Sequence, residues 1–390
     1  MLWDWDNDEI LSPGTTKPEM REFRAKVRKF VDAHIIPFVA DWDLAGHIPL
    51  GFTETALKAD MYSPLLSLPE EDRVYYDFIW QDEMARCGTS GLIMCGFISI
   101  QLGFPPVLAA GLAGGKELLD TFAARVAAGQ TKVAFAVTEP YGGSDVAALR
   151  TRATRNGQDY IINGEKAFIT GALSSDYITV AAREENGLTL FLVDAKSPGV
   201  SIERVPTQGW CVSETCRIVL SDVHVPWSHK VGESGKAFKY IMHNFNHERL
   251  IGCFGATRLA RVCLEDAVAY AKVRKTFGKP LIEHQVIRHK IAEMARIVLA
   301  NHAMNMTLLK AFANGAASKS LATLIASGKV NATKNLEFVA REASQVLGGK
   351  SFLRGSGPGG RIERIYREVR VLAIGGGSEE ILTEFVSRMC

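Results

Sequence analysis

The 390-residue chain lacks most of the features that mark a membrane, nucleic-acid or metal-binding protein. Its 45 basic and 43 acidic residues leave a formal net charge of +2. No broad electrostatic surface for nucleic acid or membrane is expected, and any charged ligand must be held by local groups. No uninterrupted apolar run approaches the ~18 residues of a membrane span. The opening Met1-Leu2-Trp3-Asp4-Trp5-Asp6 is acidic where a targeting peptide would be basic, which points to a cytoplasmic protein. The seven cysteines, an odd number, show no CxxC and no histidine at zinc spacing, so they read as reduced packing residues and no metal is expected. Repeats and low-complexity tracts are also missing. What remains is an apolar-rich globular chain, 47% hydrophobic, whose length suits two or three domains.

From Pro18 to about Gly129 apolar residues recur at helical spacing, as in Phe23, Val27, Phe30 and Val31. Near Gln130 the texture changes to short β-branched and aromatic runs separated by turn signals. Strands are expected at 133–137, 160–162, 167–169, 177–181, 189–193, 200–205 and 217–220, with Asn163-Gly164 as a tight hairpin turn between the second and third. Pro226 and Gly232 close this segment. The helical period then returns in one long helix from Lys236 to Arg274, a second through Ile297, a third from Ala300 to Asn314 and a fourth from Ser318 to Val346. The tail passes Gly375-Gly376-Gly377 into a short terminal helix. The expected architecture is α+β and multidomain: an N-terminal helical domain (1–130), a central β-barrel-like domain (131–233) and a C-terminal four-helix bundle (234–390).

Within the long helix, which contains no proline, the polar cluster Asn246-His247-Glu248-Arg249 interrupts the apolar stripe. Taken alone, a Glu-Arg pair on a helix is most often a solvated face. Its neighbours in sequence change that reading.

Four motifs stand in a fixed order: Thr138-Glu139-Pro140-Tyr141-Gly142-Gly143-Ser144-Asp145 with Tyr160 to Lys166 and Phe168-Ile169-Thr170; Arg274-Lys275-Thr276-Phe277-Gly278-Lys279 leading to His284-Gln285; Gln345-Val346-Leu347-Gly348-Gly349; and Gly376-Gly377-Ser378-Glu379-Glu380-Ile381. Together, and across nearly the whole chain, they resemble the FAD-dependent acyl-CoA dehydrogenases. The resemblance implies that Thr138, Ser144, Phe168 and Thr170 line the isoalloxazine. It implies that Arg274, Phe277 and Gln285, with Gln345 and Gly349 of the partner subunit, hold the adenosine diphosphate end, and it adds Ser378 and Glu380 to the cofactor-binding set. A cofactor bridging subunits implies a homo-oligomer, tetramer or dimer. The implied substrate is an acyl-CoA or similar thioester, and the implied electron acceptor an electron-transfer flavoprotein.

Oxidation between the α and β carbons of a thioester needs a carboxylate base in a dry site and donors for the charge growing on the thioester oxygen. Many relatives carry that glutamate in the C-terminal loop, where this chain has Gly376. A branch resembling isovaleryl- and long-chain-type enzymes instead places it on the long helix before an arginine, as Glu248-Arg249. Glu248 is therefore expected to be the base and the Gly376 N–H an oxyanion donor. Asn246 and Arg249 are expected at the pantetheine, with a structural ion pair the open alternative for Arg249. His247 is read as a satisfied helix histidine. Gly375 stands where some relatives carry an aromatic that narrows the acyl pocket. The chain departs from the family pattern at Tyr141, at Lys350-Ser351 and between Met61 and Glu70, where a glycine-rich loop is missing. An oxygen-using flavoprotein on the same fold, or a dehydrogenase of carrier-protein-bound acyl groups, are the alternative readings.

Overall fold

The computed structural model of the chain describes residues 3–61, 65, 68–315 and 318–389. Residues 62–64 and 66–67 of the Met61–Glu70 segment, where the missing loop was noted, lie outside the described residues. Helices come first, then an eight-stranded sheet, then helices again. The chain divides into two compact units. One comprises Met1–Ala45, Ala59–Ser90 and Arg249–Cys390, the other Gly46–Lys58 and Gly91–Glu248.

The second unit is built on strands β1 (Val133–Ala136), β2 (Arg152–Asn156), β3 (Asp159–Ile169), β4 (Tyr177–Glu184), β5 (Gly187–Asp194), β6 (Val200–Arg204), β7 (Cys216–Val225) and β8 (Lys230–Val231). They are ordered β6-β7-β3-β2-β4-β5-β8, with β1 parallel to β4. Alternate residues of β1, β4 and β5 enter two cores. Ala134, Ala136, Ile178, Val180, Phe191 and Val193 face one. Val133, Val137, Ala181, Leu190 and Leu192 face the other, to which the helix Lys116–Ala127 adds Phe122 and Val126. Strands covered on both faces read as unbroken apolar runs, and that made them visible in the sequence. The first core also bends the sheet. Strands β3 and β5 are separated by two others, roughly 14 Å in a flat sheet at the usual spacing, yet the rings of Tyr160 and Phe191 are 4.8 Å apart. The sheet curls around that core.

The expected hairpin at Asn163-Gly164 is not a turn. Strand β3 runs through it with a register shift against β7 between Ile162 and Gly164. A Cβ on Gly164 would lie 2.4 Å from the Thr151 hydroxyl oxygen, so the glycine permits a close strand approach. The Asn163 amide donates to Asp222 at 2.9 Å and accepts its N–H at 2.8 Å, bridging β3 to β7. The actual hairpin joins β3 to β2 through Gly157, at φ +66°. Strand β2 has no expected counterpart, because Ala153 alone of its residues is buried and the run carries little apolar signal.

The first unit is helical. The helix Pro18–His34 begins on a proline and buries Met20, Phe23, Val27, Phe30 and Val31 along one stripe. Under it lies a buried charge network in which Arg24 donates to Asp82 and Glu83 at 2.6 and 2.9 Å, and Arg261 to Asp6 at 2.9 Å. The long helix Ala237–Val273 enters this unit at Arg249. It is followed by Gln285–Ala313, Ser318–Leu347, Gly360–Ile374 and Glu379–Ser387. Two of these correct the sequence reading. No break separates Ile297 from Ala300: Asn301 and His302 interrupt the apolar stripe yet are buried with partners, Asn301 accepting from Asn331 and Asn335 at 2.9 and 2.7 Å and His302 pairing with Ser12 at 3.0 Å. The helix Gly360–Ile374 was not anticipated. Its stripe of Ile362, Ile365, Val369 and Ala373 is diluted by arginines, each of which finds a partner in the fold, as Arg361 does at Asp266 and Arg364 at the carbonyls of Cys87 and Gly88.

Candidate functional site

In the sheet unit, β1 delivers the chain into the loop beginning at Thr138. Glu139 and Gly142 exchange backbone hydrogen bonds at 3.1 Å, closing a tight turn, and the Ala167 N–H donates to the Thr138 carbonyl at 3.0 Å, tying the loop to β3. Beneath the turn the Glu139 carboxylate accepts from the Arg150 and Thr151 N–H groups at 2.6 and 2.9 Å and from the Lys166 ammonium at 2.9 Å. Lys166 is fully buried. Burial pulls its ammonium down to about 8 against the opposing effect of Glu139. Burial also pushes Glu139 up, but Lys166 and the N–H donors outweigh it and leave the carboxyl below its ordinary range. Both residues stand within the first sequence motif, which by itself does not show this role. A lysine entering the apolar run Ala167-Phe168-Ile169 was the available signal.

Between Lys166 and Ile169 the register of β3 against β7 shifts a second time. The extra residue is Phe168, thrown outward at φ +59° with 66% of its surface exposed. Thr138 and Thr170 are half-buried beside it in sequence and register, and Ser144 is exposed. Tyr141, the departure in this loop, is exposed with the Arg150 guanidinium 4.9 Å above its ring. An apolar ring held outward by a strained bulge, flanked by hydroxyls, suits a flat heteroaromatic ligand with a polar edge.

The first turns of the long helix belong to this same unit. Ala237 and Ile241 enter its second core. Asn244, buried, donates to the Leu102 carbonyl at 3.1 Å. The Phe245 ring meets Phe135 of β1 edge-on at 6.1 Å, three residues before Glu248 and three before Thr138 in their own elements. Asn246, His247 and Glu248 are half-buried.

In the helical unit, Arg249 donates from Nε to the Gly376 carbonyl at 2.6 Å. Gly376 and Gly377 stand at φ +67° and +112°, so the loop after the helix Gly360–Ile374 has a backbone that side chains disfavour. Gly375 is exposed. Ser378 caps the helix Glu379–Ser387 by accepting from the Ile381 N–H, and Glu380 on its first turn is held below its ordinary range chiefly by a backbone N–H. In the same unit, the residues between Lys275–Thr276 and Lys279–Pro280 make a two-residue ribbon turn, with Phe277 at φ +49° and Gly278 at +77°. Two left-handed central residues define the type I′ hairpin, normally filled by Asn-Gly. Here a phenylalanine, 95% exposed, bears the strain. Arg274 and Gln285 are exposed on either side of this ribbon, and Gln345 and Gly349 are exposed at the end of Ser318–Leu347. In the Lys350-Ser351 departure, Ser351 is buried and donates to the Ser344 and Gly348 carbonyls at 2.9 Å, pinning that turn.

Six non-glycine residues among those described have positive φ. The two phenylalanines in that set are both exposed, and both were named from the sequence as cofactor contacts. No group of three His, Cys, Asp or Glu that could hold a metal occurs among the described residues, and no described helix is long and apolar enough to cross a membrane. The six described cysteines are free, with burial pushing Cys87 and Cys95 up to about 11.

Comparison with known proteins adds three findings. Residues 134–223 match the model of the acyl-CoA dehydrogenase middle domain and residues 235–390 that of the acyl-CoA dehydrogenase C-terminal domain. An acyl-CoA dehydrogenase of Alternaria alternata is 35% identical over 93% of this chain and 89% of its own. Among solved structures, a probable acyl-CoA dehydrogenase from Mycobacterium abscessus superposes with a TM-score of 0.89 at 32% identity, covering 96% of this chain and 99% of that one. A glutaryl-CoA dehydrogenase from Mycobacterium smegmatis in complex with FADH2 does so at 0.86 and 26%, covering 96% and 94%.

Proposed function

Because the chain belongs to the acyl-CoA dehydrogenase family, oxidoreductases acting on the CH–CH bond of an acyl-CoA, we propose that it binds FAD and that Glu248 removes the α-proton of the thioester. Bound FAD supplies the hydride acceptor for the β-hydrogen. Phe168, Thr138, Ser144 and Thr170 supply the ring and hydroxyl contacts for its isoalloxazine. Arg274, Phe277 and Gln285 contact its diphosphate and adenosine end, with Gln345 and Gly349 of the partner subunit, and Ser378 and Glu380 complete the set. A guanidinium fork suits a diphosphate. The FADH2 complex of the mycobacterial relative supports FAD as the cofactor.

The observation that carries the mechanism is the Arg249–Gly376 bond of 2.6 Å. Glu248 is the residue next to Arg249 on the same helix, and Gly376 is the loop position that has no carboxylate of its own. The same bond holds the loop whose Gly376 N–H would meet the thioester oxygen. In this reading Glu248 takes the α-proton, Gly376 N–H stabilises the negative charge that develops on the oxygen, and Asn246 meets the pantetheine. Arg249 organises the loop through this carbonyl hydrogen bond, a structural role different in kind from the ion pair left open for it above. Gly375 leaves room beside the acyl chain. The chain then falls in the isovaleryl- and long-chain-type branch, and its reaction ends with electrons passing to a flavoprotein carrier. Exposed Val273, Phe277, Val286 and Phe352 near the ribbon and the 348–352 turn support a homo-oligomer. The three-domain division at 1–130, 131–233 and 234–390 is part of the same proposal.

Glu248→Gln tests it. The variant should retain FAD and its visible spectrum while anaerobic bleaching by an acyl-CoA panel slows by roughly 10³-fold, the size expected for loss of a general base. Bleaching at the wild-type rate would refute the assignment. Wild-type flavin that stays oxidised with every thioester would favour an oxygen-using chemistry instead.

A further inference from the structure

The triple-glycine loop has no side chain with which to hold itself, yet an oxyanion donor must be fixed in direction before the charge appears. Its peptide planes are held one by one from outside. The Gly375 N–H donates to the Val371 carbonyl at 2.7 Å, and Arg249 holds the Gly376 carbonyl. The two ends of the loop are joined by one group: the Lys329 ammonium, on the buried side of Ser318–Leu347, donates to the Ala373 carbonyl at 2.7 Å and to the Gly377 carbonyl at 2.8 Å. Lys329 is 3% exposed. A buried ammonium costs several kcal/mol of desolvation unless its donors are well placed, and here they bind the penultimate helical carbonyl, that of Ala373, and the carbonyl just beyond Gly376. The plane between Gly375 and Gly376, which carries the Gly376 N–H, is flanked on both sides by planes held in this way.

We propose that Lys329 is a positioning residue for the dehydrogenation, clamping the Ala373–Gly377 loop so that the Gly376 N–H is aimed at the thioester oxygen. The proposal rests on assigning that N–H as the oxyanion donor. It does not depend on which group is the base. A compact ammonium with three donors can span two carbonyls four residues apart, which a side chain without N–H donors cannot. Arg249 fixes one carbonyl from the long helix while Lys329 fixes two others from the helix Ser318–Leu347, so the loop is held at three points.

The test reads the carbonyl directly. A 2-enoyl-CoA labelled with carbon-13 at the thioester carbonyl cannot be dehydrogenated again, so its infrared stretch on the holoenzyme reports polarisation without turnover. In Lys329→Met the lowering of that stretch on binding should fall by at least half. The kcat should drop by about 10 to 100-fold, with KM within about threefold of wild type and FAD content unchanged. Lys329→Gln, which keeps two N–H donors, should recover part of both. A carbonyl shift equal to wild type in a folded, FAD-loaded Lys329→Met would overturn the proposal, and so would failure of both variants to fold, which would make Lys329 scaffolding alone. Full turnover by Glu248→Gln would remove the base assignment while leaving this readout intact.

Discussion

Glu368 lies on the helix that delivers the triple-glycine loop, one per cent exposed, and its carboxylate accepts from the Thr89 hydroxyl at 2.6 Å and the Ser90 N–H at 3.0 Å. Burial pushes its carboxyl from the ordinary 4.5 up to about 7, against Thr89, Arg364 and Ser90, which favour the charged form, while Asp43 adds to the rise. A carboxyl whose folded pKa exceeds its unfolded value binds more protons in the native state between those two values. Stability should therefore fall as pH rises from 4.5 through 7 and level off above. At 1.36 kcal/mol per pH unit the loss is ~3.4 kcal/mol. For a 390-residue chain with an unfolding entropy near 2.1 cal/mol/K per residue, that corresponds to about 4 °C in Tm. Glu368→Gln keeps the shape and removes the titration. The Tm of the variant minus that of wild type, measured by calorimetry on holoenzyme from pH 5 to 8.5, should climb by about 3 °C of that total with its midpoint between 5.5 and 7. A difference that is flat with pH, or that climbs toward acid, would refute the reasoning.

Two further substitutions probe the face proposed for the flavin. Lys166→Met leaves Glu139 buried without its cation and should cost about 3–5 kcal/mol in denaturant unfolding, with FAD lost more readily on gel filtration; wild-type stability would show that the pair does not hold the loop. Phe168→Gly removes a strained φ, a relief of about 1–3 kcal/mol that the entropy of glycine partly offsets. The apoprotein should unfold at an equal or higher midpoint while FAD binds at least about tenfold more weakly. Loss of stability with FAD affinity unchanged would place the side chain away from the cofactor.

The legible parts of the sequence were those with strong local periodicity. Strands β1, β4 and β5, buried on both faces, and the proline-free helix 237–273 emerged because their side chains face apolar surroundings over many residues. Strand β2 and the helix 360–374 did not, because their polar residues either face outward or find partners far along the chain, as Arg361 does at Asp266. The motif residues of the site could be named from the sequence by their order. The groups that organise them could not: Lys166 under the 138–145 loop is 27 residues from Glu139, and Lys329 is 44 from Ala373.

Asn163-Gly164 shows the same limit on a smaller scale. The dipeptide specifies a backbone that tolerates unusual torsions, and a free hairpin would use it as a turn. Whether it turns the chain or bulges within a strand depends on Thr151 and Asp222, which arrive from other elements. Residue type and spacing thus settled which chemical groups this protein carries and which strongly periodic elements bear them, but not the polar strand β2, the helix 360–374 or the bulge at Asn163-Gly164. Tertiary structure decided which polar groups are dry, which are paired and which backbone donors are held still, because those properties depend on neighbours distant in the chain.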